Sequence, residues 1–170
     1  MIKTVKDNLL RFIFVIFIQV LILNNIQVSS YLNSYIYVLF VLLLPFETPK
    51  WLLLLLGFGT GLTMDMFSDT AGVHAAATTL MAFSRSGILK IISSRKDYEQ
   101  GMKPILKDLG FRWFFNYSLV MVSIHHFTLF LLEVFRITEV FNILLRSAIS
   151  ISFTMVLLII SQYLFVKIKD

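Results

Sequence analysis

The run Gly57-Phe-Gly-Thr-Gly-Leu-Thr-Met-Asp-Met-Phe-Ser-Asp-Thr-Ala-Gly-Val-His74 places three glycines and a carboxylate in or at the edge of one hydrophobic stretch. It then turns within a few residues into another. Lipid cannot hydrogen-bond a carboxylate. Near a bilayer centre Asp65 would cost about 2.5 to 3.5 kcal/mol, and less toward an interface. A residue kept at that position faces other helices, so the hairpin is the first place to look for function.

The surroundings are apolar enough for this argument to apply. Hydrophobic residues make up 58% of the 170 and charged residues only 15%, outside the range of soluble domains. A spanning helix needs about 20 mostly apolar residues, so 170 residues hold at most six or seven spans and leave no room for a sizeable soluble domain. The formal charge of +5 is spread over span ends rather than gathered in a patch, which argues against nucleic acid. The absence of cysteine excludes disulfides, thiolate nucleophiles and cysteine metal sites. Lys3, Lys6 and Arg11 ahead of an apolar stretch to Leu23 resemble a signal peptide, but no small-x-small cleavage site follows. The segment reads as an uncleaved first helix.

The expected architecture is all-α: a single membrane domain, residues 1–170, forming a compact bundle of about six transmembrane helices. The spans are Leu9–Ile26, Tyr31–Phe46, Trp51–Phe67, Val73–Ile92, Phe111–Phe135 and Asn142–Val166. The third and fourth form a tight hairpin across Ser68 to Gly72. Twelve of the fifteen cations fall on one side, against Arg136 and Arg146 on the other and Arg85 within the fourth span. The positive-inside bias then sets both termini in the cytoplasm. The loop Ser93–Gly110 is cytoplasmic as well, either as an interfacial helix on anionic membrane lipids or as a docking site for a partner.

Several spans carry a polar or small stripe at helical spacing. Gly57, Gly61 and Asp65 are four apart, so a close-packing glycine face leads into the carboxylate. His74, Thr78, Met81 and Arg85 share one side of the fourth span. An Asp65–His74 hydrogen bond is expected to close the hairpin, and Arg85, five residues before Lys90, to snorkel to the cytoplasmic interface. Arg112, Asn116, Ser123 and His126 form a face in the fifth span, and Ser147, Ser150, Thr154 and Ser161 in the sixth. Helix packing accounts for both faces, and a lined solute cavity is the alternative. The sequence has no metalloprotease, nucleophile-elbow or phosphate-loop motif, and His125 and His126 point about 100° apart. Catalytic, cofactor-binding and metal-binding residues are therefore not expected.

The hairpin carries a family resemblance. A glycine-rich apolar helix, an aspartate, a short Ser/Gly turn, then Gly-x-His and a small-residue helix resemble MreD, the rod shape-determining membrane protein family. The residues are Gly57, Gly61, Asp65, Ser68, Gly72, His74 and Ala75 to Ala77. The detailed match covers about 40 residues; elsewhere length and hydropathy agree. The turn lacks the proline or leucine often found in the family. The resemblance implies a non-catalytic subunit of the cell-elongation complex in the bacterial cytoplasmic (inner) membrane. It would associate with MreC, a single-span protein, and through it with MreB filaments and the peptidoglycan polymerase and transpeptidase. Gly57, Gly61, Asp65, Gly72 and His74 would then be structural or partner-interface residues. The implied fold resembles the substrate-binding subunits of energy-coupling-factor transporters, which supplies a rival reading as a vitamin-uptake subunit. Those subunits typically carry Ala-x-x-x-Ala in the first span, where this chain has neither alanine nor glycine.

Overall fold

A computed structural model describes residues 2–25, 33–92, 98 and 102–165. Residues 26, 31–32 and 166 of the expected spans, and most of the loop from 93 to 101, lie outside them. The described chain is helical: α1 Ile2–Leu21, α2 Val38–Leu42, α3 Lys50–Ser68, α4 Val73–Ile92, α5 Leu106–Leu109, α6 Phe111–Val134 and α7 Val140–Phe165. Four stretches are long and apolar enough to cross a membrane, namely Lys6–Asn25, Lys50–Ser68, Phe111–Val134 and Val140–Leu164. Large apolar side chains such as Phe17, Leu55, Phe83 and Leu164 point outward from the bundle, as a lipid-facing surface requires.

Helix α4 lies at the centre, packed against α3 on one side and α6 on the other. Its His74, Thr78, Met81 and Arg85 are all at most 4% exposed, so the stripe seen in the sequence is the helix's inner face. The stripe of α7 is likewise buried: Ser147, Ser150, Thr154 and Ser161 all point inward. The stripe of α6 is not. Arg112 and Asn116 are exposed while His126 is buried. Because about 80° separates Asn116 from His126 on a helical wheel, the inner face turns away from Asn116 and runs through Phe114, Tyr117, Met121 and Leu129 instead.

The second expected span differs most. Only five of its residues are helical, and residues 33–37 and 43–49 take irregular paths. Ile36 to Leu44 are buried without exception. The segment begins beside Ser150 and Thr154 of α7 and ends beside Arg11 of α1 and Arg85 of α4. It therefore runs through the interior between the two ends of the bundle. Its continuous apolarity reflects enclosure by protein, which from sequence looks the same as enclosure by lipid.

Within the described part of Ser93–Gly110 the helix is one turn long, and the loop folds back on the bundle. Pro104 is buried, the Leu106 N–H donates to Gln162 Oε1 at 3.4 Å, and the Tyr98 ring stacks on Phe46 with centroids 4.0 Å apart.

Candidate functional site

The α3–α4 hairpin is organised around Asp65, which is 4% exposed. Helix α3 stops where Asp69 takes a left-handed conformation, φ 51°, and the chain re-enters a helix after Gly72, φ 86°. The backbone carbonyl of Asp65 accepts the N–H groups of Asp69 and Thr70. Its carboxylate spans the turn. Oδ1 accepts Thr70 Oγ1–H at 2.5 Å and the His74 N–H at 3.0 Å, while Oδ2 accepts the Ala75 N–H at 2.9 Å. The carboxylate is thus an N-cap for α4 delivered from the preceding helix, where it satisfies first-turn donors and meets the positive end of the helix dipole. The expected Asp65–His74 hydrogen bond is thus made by the histidine's backbone N–H, and its ring turns the other way.

Below the turn the glycines hold the two helices together. A Cβ on Gly61 would overlap the backbone of His74 and Ala75, and one on Gly57 would lie 2.8 Å from Ala82 Cβ. Gly59, between them, has open space where its side chain would be. Gly57 and Gly61 are therefore the close-approach positions.

The His74 ring enters a second site absent from the sequence reading. Tyr37, fully buried on the irregular segment, has its hydroxyl 2.9 Å from His74 Nδ1 and 2.6 Å from His125 Nε2. His125 Nδ1 lies 3.4 Å from His126 Nδ1, which in turn is 3.0 Å from the Val122 carbonyl. His126 Nε2 is 3.0 Å from Thr154 Oγ1, and Thr154 also accepts the Tyr35 N–H at 3.2 Å. One set of tautomers satisfies every link except the 3.4 Å approach of His125 Nδ1 to His126 Nδ1. His126 Nδ1–H donates to Val122, Thr154 donates to His126 Nε2, His125 Nε2–H donates to Tyr37, and Tyr37 donates to His74. The histidines are spokes of one hydrogen-bond network, and the described residues contain no cluster of metal-ligating side chains.

The same segment draws its remaining partners from all around the bundle. Gln19 of α1 donates to the Ser34 carbonyl at 2.9 Å and accepts the Ile36 N–H at 2.8 Å. Tyr117 donates to Leu42 at 3.2 Å, and Arg11 to Leu43 at 3.1 Å. Arg85 donates to the carbonyls of Leu44 and Pro45 and to Tyr117 Oη. At 1% exposure, Arg85 does not snorkel to an interface. Its guanidinium fork binds backbone that helix geometry leaves unpaired.

Above this network lies a cavity of about 400 Å³ whose polar lining includes Asn24, Asn33, Asp69, His74, Glu133 and Arg146. Arg146 pairs with Glu133 at 3.2 Å and sits 4.4 Å over the Phe130 ring. Gln19 and Tyr37 were the members hardest to find in advance. The available signal was Gln19 itself, a lone amide in the apolar half of α1. Comparison with protein-family models, curated proteins and solved structures finds no match.

Proposed function

We propose that this chain is a non-catalytic membrane subunit of the bacterial cell-elongation complex, of the MreD type, acting on cell shape and the placement of peptidoglycan synthesis through an MreC-type single-span partner. What supports this reading is the hairpin motif, in which four of the residues carrying the resemblance have a mechanical role. Gly57 and Gly61 bring two helices together, Asp65 caps the second, and Gly72 makes the turn. A preorganised hairpin of this kind offers rigid helix faces to other membrane proteins. The work would be done at those faces in the cytoplasmic membrane, with both termini and the lysine-rich end of the bundle inside.

Depleting the protein in its rod-shaped host should round the cells and scatter wall synthesis while precursor assembly continues. A cysteine at Thr138 should react with a membrane-impermeant reagent in intact cells, after permeabilisation of any outer membrane, and one at Lys103 should not.

The polar cavity favours a second reading, a substrate-binding subunit of a vitamin-uptake transporter. Under that reading depletion leaves cell width normal and a vitamin supplement restores growth, an outcome that would rule out the scaffold.

A further inference from the structure

At the opposite end from Asp65, α3 and α4 part to leave a groove of about 390 Å³. Lys50 from the start of α3 and Lys90 from the last turn of α4 both line it, together with Ser84 and Ser86. Leu53, Leu54 and Phe83 form its apolar wall, and Phe83 is 68% exposed. Gly87 leaves the groove open, since a Cβ there would meet no atom within 4 Å. Among the described residues neither lysine has an ion-pair partner.

We infer that this groove binds one anionic phospholipid, with the phosphate between Lys50 and Lys90 and an acyl chain along Leu54 and Phe83. Two cations converging from facing helices at one end of a membrane bundle, above an apolar wall, match the two ends of such a lipid. The charges favour an anionic over a zwitterionic headgroup, and the wall requires a hydrocarbon chain beside the phosphate. The positive end of the α3 dipole adds to the field at the same place. The inference is independent of the cell-shape reading and requires only that the bundle lie in a bilayer.

Native mass spectrometry of the full chain in mild detergent, titrated with phosphatidylglycerol, tests it. One lipid should bind in preference to phosphatidylcholine. Lys50→Ala with Lys90→Ala should weaken it on the order of tenfold. Gly87→Phe should displace it with the charge unchanged. Lys103→Ala with Lys107→Ala, which removes two exposed cations at the same end, should leave it in place. Glycerol 3-phosphate should not compete at matched concentration. The inference fails if phosphatidylcholine binds equally, if Gly87→Phe has no effect, or if the two cation pairs weaken binding alike. Displacement by glycerol phosphate would also overturn it, because the apolar wall would then have no role. Helix content by circular dichroism verifies that each variant is folded before it is compared.

Discussion

The α3–α4 hairpin and the segment from Asn33 to Phe46 are both buried and both carry polar groups deep in the bundle, yet they are held by opposite means. The hairpin satisfies itself locally: the donors to Asp65 lie five, nine and ten residues away. The irregular segment, beside short turn bonds such as that from Thr48 to Pro45, takes side-chain partners from 15 to 119 residues away, from α1, α4, α6 and α7. A helix pairs its own backbone, so its side chains are free to pack. A broken segment leaves N–H and C=O groups unpaired, and in an apolar interior each must find a side chain. Gln19, Arg85, Ser150 and Thr154 serve that purpose inside this bundle.

Four experiments press on that contrast. The largest effect belongs to Gly61→Leu, whose side chain would drive into the α4 backbone. It should destabilise the protein by more than about 3 kcal/mol, read as loss of monodisperse material by size exclusion in detergent, while Gly59→Leu should be tolerated. Equal tolerance at both positions would break the close-packing account.

Next comes Gln19→Leu, which keeps the volume but orphans the Ser34 carbonyl and the Ile36 N–H. A loss of about 2 kcal/mol in thermal or denaturant unfolding is expected. A neutral result would mean that residues 33–37 do not depend on α1.

Asp65→Asn should cost less, about 1 kcal/mol, because an amide still accepts one of the α4 first-turn hydrogen bonds.

The smallest effect is the most discriminating. A double-mutant cycle between Asp65→Asn and His74→Phe should give coupling below about 0.5 kcal/mol, since only the His74 backbone reaches Asp65. Tyr37→Phe with His125→Phe should couple more strongly, their side chains being 2.6 Å apart. Coupling in the first pair as large as in the second would restore a side-chain bond across the turn.

Legibility in the sequence followed the same division. The glycine spacing, the carboxylate in an apolar run and the inward stripes of α4 and α7 depend on neighbours within a few turns of one helix, where the helical period relates residue number to position. The stripe of α6 failed over its first two turns, because periodicity locates a face but not the element that covers it. Arg85 was misread for a related reason. A cation near a span end ordinarily reaches for water, and nothing near it in the chain announces the Leu44 and Pro45 carbonyls that hold it instead.

What the sequence determined by itself was an apolar helical chain, a glycine-packed hairpin with a carboxylate at its turn, and a marked imbalance of charge between the two sides. All of these rest on composition or on residues close together in the chain. What only the tertiary structure decided was that the second apolar segment is enclosed by protein and mostly not helical, and that Tyr37 joins His74 to His125. It also decided that Gln19 and Arg85 serve backbone far from them in sequence. The physical reason is that apolarity reports exclusion from water without saying what does the excluding, and an unpaired backbone group is satisfied by whichever side chain the fold brings within reach.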